Sequence, residues 1–355
     1  MAACRAKSLG LSFWSADAQK GSERGGNGMA SDRIEILDGW RAVSILFVLA
    51  GHLLPMGPAA WKINGSLAVG GMALFFALSG FLITHFLLER ADVAEFLRRR
   101  LFRIVPLGWS VMLILAIVNG AGAGTIAANL LFVANLPPTR LMPGGEHLWS
   151  LCVEAQFYLG AALLVAAGGR RALWLLPPLC VLVTIGRMIA GAEYSIVTWL
   201  RIDDILAGAT MALLCGRPRV AAVMRRAPSW LPVLLLALLV AVSGERAGSL
   251  NFVRPYIAAA AVGISIHSAP DAMRRLYASR PAVYIATISY ALYVFHMLFD
   301  ASWLGSGDRL VKYAKRPLLL IATFAAAHLS TFHFERPIIA WGKRRRRLAA
   351  ARGRP

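Results

Sequence analysis

The chain alternates between long apolar segments and short connections that carry most of its charged residues. A helix that crosses the hydrocarbon core of a bilayer needs about 20 mainly apolar residues. Ten segments approach this length: 36–56, 67–88, 104–121, 148–168, 172–190, 201–215, 230–244, 253–269, 283–302 and 317–336. The segments 201–215 and 230–244 are short, and the stretch 125–136 favours a re-entrant or surface helix. The pattern predicts an all-α fold, a polytopic membrane helix bundle with about ten transmembrane helices.

Polar segments flank this apolar region at both ends. Residues 1–32 are rich in Gly, Ser and Ala and contain no apolar core of signal-peptide length, so we expect a disordered or non-native N-terminal tail. Met29 begins a stretch that leads into the first apolar segment. Residues 33–341 are predicted to form one integral membrane domain, and residues 342–355 a basic cytoplasmic tail.

Composition and charge support the membrane class. Of the 355 residues only 16% are charged, against about 25% in soluble domains. The net charge of +20 lies mostly in connections, which excludes nucleic acid as the expected partner because its binding needs a basic face on a folded soluble domain. With the N-terminus in the cytoplasm, inner connections hold fourteen Arg and Lys and outer ones seven. The positive-inside rule therefore predicts a multi-pass protein of the cell inner membrane with both termini cytoplasmic, although the last outer connection is discordant.

The first apolar segment contains two ionisable residues, Arg41 and His52. Such groups are costly in hydrocarbon and usually mark function. Eleven residues make almost three helical turns, so both side chains are predicted to point the same way, roughly 16 Å apart along the axis. This face could hold a long anionic ligand at one end and carry out proton chemistry at the other.

The first inner connection contains a cluster of arginines at Arg98, Arg99, Arg100 and Arg103. Arginine binds phosphate in a bidentate manner. The alternative role is a topology anchor that touches lipid headgroups. Because Arg41 lies on the same side, a polyanion such as the head of coenzyme A becomes a credible ligand.

A carboxylate, Glu154, lies inside another apolar segment, which begins near His147 and Trp149. A carboxylate in a membrane helix should pair with a cation or line a polar cavity. Its expected partner is Arg41 or the imidazole of His52, and the alternative is a structural salt bridge to another arginine.

Metal chemistry is not predicted. The pair Asp203 and Asp204 lacks an evident third ligand and favours polar pairing between helices. His296, in an apolar run, is expected to make a core hydrogen bond. No CxxC pattern occurs among the four cysteines, which are interpreted as membrane-packing residues: Cys4, Cys152, Cys180 and Cys215.

Seven motifs in order resemble the bacterial acyltransferase-3 family, and the likeness covers residues 33–341. They read LDGWRAVSILFVLAGH, GGMALFFALSGFLIT, FLRRRLFRIVP, HLWSLCVEAQFYL, RIDDILAG, ISYALYVFH and FERP. The resemblance implies a membrane-bound O-acyltransferase with ten spans, which moves an acyl group, often acetyl, from acyl-coenzyme A to a hydroxyl of a cell-surface or exported glycan. Two departures from the family pattern are Ala73, where an acid is usual, and Ala155, where the family has a second Glu.

The resemblance also assigns roles to residues. It places the family's Arg–His motif on Arg41 and His52, its basic loop on Arg98 to Arg103, and its Trp-Ser-Leu-x-x-Glu element on Trp149 to Glu154. His52 is then expected to act as a general base or to form an acyl-imidazole, and Glu154 to orient or stabilise it. The arginine cluster would bind the phosphates of acyl-coenzyme A, which is a donor substrate and not a permanently bound cofactor.

The acceptor site and two alternatives complete the prediction. His147 and Trp149 are expected to hold the sugar at the outer mouth. A transporter or flippase of an anionic or glycan substrate is the rival function, because a transit path would use the same buried Arg and His. A sensory or lipid-binding membrane protein is a weaker third alternative.

Overall fold

The computed structural model describes residues 35–342 and Arg344, and every regular element in this range is helical. The predicted tail at 1–32 lies outside the described residues, as does nearly all of 342–355. Thirteen α-helices follow in chain order: α1 Glu35–Leu53, α2 Ile63–Glu89, α3 Val93–Val118, α4 Ala123–Leu130, α5 Trp149–Gly168, α6 Leu176–Ile189, α7 Asp203–Cys215, α8 Pro218–Arg226, α9 Leu231–Val242, α10 Arg254–His267, α11 Asp271–Tyr277, α12 Arg280–Asp300 and α13 Arg309–Leu329. A π-helical turn, Ser330–Glu335, follows α13.

The all-helical prediction is confirmed for the described residues, but the span count differs. Seven helical segments of the described chain are long and apolar enough to cross a membrane, or eight if α8 and α9, bent by 91°, form one span. This is fewer than the ten predicted. Two predicted spans, 148–168 and 172–190, correspond to one helical segment, Glu146–Ile189, which contains α5 and α6. A third, 201–215, corresponds to α7, which has only 13 residues.

Helix α2 lies at the centre of the bundle and packs mainly against α1 and α7. Its close approach to α7 depends on two glycines. A Cβ added at Gly80 would lie 1.9 Å from the carbonyl oxygen of Ile205, and one added at Gly208 would lie 1.9 Å from that of Ala77. Small residues let membrane helices approach in this way. These glycines therefore set the distance between the two helices.

Buried ion pairs join α7 to α6 and α10. Arg187 pairs with Asp203, both fully buried, while Asp204 lies 3.1 Å from Arg201 and 3.7 Å from Arg254. In a membrane interior such charges are tolerated only when they are paired. The two aspartates thus pair with arginines of neighbouring helices. The sequence predicted this pairing because no third metal ligand was evident.

The bundle has two ends, which we name by residues of α1. At the Arg41 end, Trp40 of α1 donates a hydrogen bond of 2.8 Å to Ser265 near the end of α10. At the His52 end, Lys62 before α2 pairs with Glu245 before α10. The start of α1 therefore lies beside the end of α10 at the Arg41 end, and the segments before α2 and α10 meet at the His52 end.

Candidate active site

A cavity lies between α1, α2, α3, α5 and α12, towards the Arg41 end. Its empty volume is about 660 Å³, which includes the open space at its mouth. Three guanidinium groups and one carboxylate line it, which suits an anionic ligand. The polar lining residues are Arg41, Ser44, Ser79, Arg100, Arg103, Glu154, Tyr158, Ser289, Tyr290 and Tyr293.

One face of α1 forms a wall of this cavity. Arg41, Ser44, Ile45 and Val48 all line it, and their spacing of three and four residues is that of one helical face. His52 follows Val48 by four residues, so it lies about one turn beyond the lining residues on the same face. The predicted common face of Arg41 and His52 thus carries the cavity at one end and the imidazole at the other.

Glu154 of α5 lies inside the cavity and is held by hydroxyl groups. Ser79 of α2 donates to its Oε1 at 2.5 Å, and Tyr158, one turn further along α5, also hydrogen-bonds it. The charge of Glu154 acts on Arg41, one of its two predicted partners. In the described chain it makes no hydrogen bond to His52, the other predicted partner.

The arginine cluster of α3 divides between two environments. Arg100 and Arg103 line the cavity, whereas Arg98 and Arg99 do not. Positions separated by three residues share a helical face, so Arg100 and Arg103 point together. Arg99 is exposed and pairs with Glu95 one turn earlier. The structure therefore brings two of the four predicted donor-binding arginines together with Arg41.

Three imidazole rings meet at the His52 end. The ring centroid of His296 lies 5.4 Å from that of His52 and 5.2 Å from that of His147. His147 and His296 are buried, whereas His52 is exposed. Within the described residues no group of three His, Cys, Asp or Glu side chains could hold a metal ion. We call His52, His147 and His296 the histidine group.

Tyr293 of α12 connects the cavity to the histidine group. It lines the cavity, and its ring centroid lies 5.4 Å from that of His147 and 5.5 Å from that of His296. Its hydroxyl donates to the backbone oxygen of His147 at 2.5 Å and contacts the hydroxyl of Ser150 at 2.6 Å. The tyrosine is thus fixed between the two sites.

Sequence reasoning assigned no functional role to Tyr293 and only a core hydrogen bond to His296. His296 does make such a bond, to the backbone oxygen of Tyr293. Both residues could have been identified from the imidazole inside an apolar span. Placing an ionisable group in hydrocarbon costs free energy, so such a residue usually has a function. The motif ISYALYVFH contains this imidazole beside the tyrosine.

The two residues predicted to bind sugar have different surroundings. His147 belongs to the histidine group and is buried, with 7% of its surface exposed. The indole of Trp149 contacts Phe76 of α2, with ring centroids 5.7 Å apart, and the guanidinium of Arg201, 5.6 Å from the ring. Among the described residues, no ring contact joins Trp149 to the histidine group.

A family model described as an acyltransferase domain, that of the acyltransferase-3 family, matches residues 34–333. The chain belongs to this family. The match contains every helix of the cavity and all three members of the histidine group. No solved structure matches the chain.

Individual relatives match only part of the chain. The protein named "Putative O-acetyltransferase SACOL0978" of Staphylococcus aureus strain COL is 31% identical over 150 residues, which cover 35% of this chain and 23% of that protein. The O-acetyltransferase OatA of Staphylococcus aureus strain NCTC 8325 is 28% identical over 155 residues, with the same coverage of both chains. The chain thus aligns with about a quarter of the length of these curated relatives.

Proposed function

We propose that the protein is an O-acetyltransferase of the cell inner membrane. It transfers an acetyl group from acetyl-coenzyme A to a hydroxyl of a cell-surface or exported glycan. The proposal rests on one observation: Tyr293 lines the arginine-containing cavity and also contacts the histidine group. Family membership and the names of the relatives support the reaction class.

The donor occupies the cavity from the Arg41 end. Its phosphates pair with Arg100 and Arg103, and Arg98 and Arg99 add positive charge near the mouth. Arg41 binds further along the path. The pantetheine arm then follows the face of α1 towards Tyr293, because this direction leads from the guanidinium groups to the imidazoles.

The transfer step occurs at His52. Its imidazole takes the proton of the acceptor hydroxyl, and the oxygen attacks the thioester carbon. A carbon–oxygen bond forms, the carbon–sulfur bond breaks, and the thiolate of coenzyme A leaves and receives the proton from the imidazolium. In the competing version an acyl-imidazole forms first and the hydroxyl attacks it in a second step. His52 is exposed, so an acceptor can reach it directly.

Glu154 serves this reaction from inside the cavity. Its charge balances part of the positive charge of the three arginines, and Ser79 and Tyr158 hold the carboxylate in place. His147 and Trp149 remain our candidates for the sugar-binding residues at the His52 end.

We also propose that the chain crosses the membrane ten times, with both termini in the cytoplasm, so that helices shorter than the seven or eight long segments cross as well. Hydrogen bonds at the two ends of the bundle support this topology. Arg170, before α6, donates to the backbone oxygen of Glu89 at the Arg41 end. Tyr194, after α6, donates to that of Ser243, close to the Lys62–Glu245 pair at the His52 end. Helix α6 therefore joins opposite ends of the bundle, and α9 ends at the His52 end. The proposal requires α7 and α9 to cross as well, although α6, α7 and α9 have only 14, 13 and 12 residues.

Membranes from cells that express the protein should transfer label from acetyl-coenzyme A, labelled in the acetyl group, to a glycan fraction. His52→Ala should abolish transfer, because the general base or nucleophile is lost, without lowering the amount of protein in the membrane. Full activity of this variant would refute the role of His52.

The same experiment tests the transporter alternative. A transporter of an anionic or glycan substrate would move its substrate without consuming acetyl-coenzyme A. Glycan movement that is independent of the donor, together with no transfer of label, would favour the transporter over the enzyme.

A further inference from the structure

The histidine group contains two buried imidazoles whose hydrogen bonds fix their tautomers. The Nδ1 of His296 lies 2.6 Å from the backbone oxygen of Tyr293. A carbonyl oxygen only accepts hydrogen bonds, so Nδ1 carries the proton and Nε2 is an acceptor. This Nε2 is buried and has no hydrogen-bond partner among the described residues. Buried polar atoms without a partner are rare and call for an explanation.

The position of His52 explains this acceptor. The two ring centroids are 5.4 Å apart and the rings are tilted by 51°. Two imidazoles joined by one N–H···N hydrogen bond of about 2.9 Å have ring centres roughly 5 Å apart. The rings of His52 and His296 are thus close enough for such a bond after a small rotation of the exposed side chain.

We propose that His296 is a positioning residue for His52. Its Nε2 accepts the N–H of His52 and so fixes the tautomer in which the other ring nitrogen of His52 carries a free lone pair. This inference rests on the proposed function, in which His52 takes the proton of the acceptor hydroxyl. It adds a residue that does not touch the substrate but determines which ring nitrogen of His52 faces the acceptor hydroxyl.

The arrangement supports both stages of the proton transfer. Before transfer, neutral His52 has one N–H, which it donates to His296, and one lone pair, which faces the hydroxyl. After transfer, the imidazolium of His52 keeps its bond to His296 while the new proton is available for the leaving thiolate. A base that is oriented by a third group is the general form of a catalytic triad.

His147 does not fill this role. Its Nε2 lies 3.1 Å from the backbone oxygen of Val294, so its Nδ1 is also an acceptor. Among the described residues, ring contacts join it to His296 and Tyr293 but not to His52. Of these two buried histidines in the described chain, His296 therefore makes the ring contact with His52.

Three variants of His296 separate positioning from a structural role. In His296→Gln the side-chain oxygen can take the place of Nε2 as acceptor, whereas in His296→Asn the amide can only take the place of Nδ1 as donor to Tyr293. We expect His296→Gln to keep kcat within about tenfold of the parent protein. We expect His296→Asn and His296→Ala to lose about 100-fold or more, as a misaligned general base would. The KM for acetyl-coenzyme A should change in none of them.

The measurement is the rate of label transfer at equal amounts of folded protein, quantified by size-exclusion chromatography in detergent. Activity retained by His296→Asn but lost in His296→Gln would overturn the proposal, because only the bond to Tyr293 would then matter. Equal activity of all variants would overturn it too. A parent protein without label transfer would instead contradict the proposed function, so the two failures are distinguishable.

Discussion

Single arginines of the α3 cluster should differ in their effect on the donor. Arg103→Ala removes a guanidinium that lines the cavity, so it should raise the KM for acetyl-coenzyme A by about 10- to 100-fold. This corresponds to the roughly 1.5–3 kcal/mol of one hydrogen bond to a charged group. Arg99→Ala is the matched control, since this exposed residue pairs with Glu95 and should change the KM by about twofold at most. Initial rates of label transfer against donor concentration give both values, and equal effects would mean that the cluster acts only through its summed charge.

The residues of the site were predictable to different degrees. The common face of Arg41 and His52 follows from helical periodicity alone, because both lie in one helix. The division of the arginine cluster was not predictable, since the face of α3 that meets the cavity depends on how α3 packs. His296 was seen as a buried imidazole, but its contact with His52 joins two helices far apart in sequence. Tertiary contacts of this kind leave no periodic pattern.

Among the helix pairs, α2 and α7 provide the clearest test of packing. Gly80→Ala places a methyl group against the backbone of α7, where a Cβ would lie 1.9 Å from an oxygen of Ile205. Overpacking of this kind costs about 1–3 kcal/mol, so the unfolding temperature in detergent should fall by several degrees. The control is Gly160→Ala in α5, where a Cβ would meet nothing within 4 Å. This control should be unchanged or slightly stabilised, because alanine is the better helix former; a matching fall there would contradict the packing argument.

The short helices also show where element prediction from hydropathy is limited. The rule of about 20 apolar residues applies to a helix that faces lipid along its whole length. Helix α7 has 13 residues and is largely buried by α2, α6 and α10, so protein covers much of its surface. A helix shielded in this way can be short and can carry Asp203 and Asp204, provided that they are paired. The segment 201–215 was predicted as a short span, but the neighbours that cover α7 could not be predicted from hydropathy.

At the scale of the whole molecule, the chain is expected to cross from one side of the membrane to the other at each of its short helices. Single cysteines can replace exposed residues in four consecutive connections, after the native cysteines have been changed to alanine. Trp174, Trp199, Val223 and Leu250 are 38%, 55%, 67% and 57% exposed, and they flank α6, α7 and α9 in turn. With ten spans and a cytoplasmic N-terminus, Trp174→Cys and Val223→Cys should be cytoplasmic, and Trp199→Cys and Leu250→Cys external.

Labelling by a membrane-impermeant maleimide distinguishes these sides. In intact spheroplasts the two external positions should react, and the two cytoplasmic positions should react only after permeabilisation. Denatured samples of all four variants serve as the control for thiol reactivity. Reaction of Trp199→Cys and Val223→Cys from the same side would mean that α7 does not cross. His52 and Arg41 could then still lie on one face of α1. However, the short helices would no longer support a topology that places the imidazole of His52 outside the cell and the arginine-lined cavity inside it.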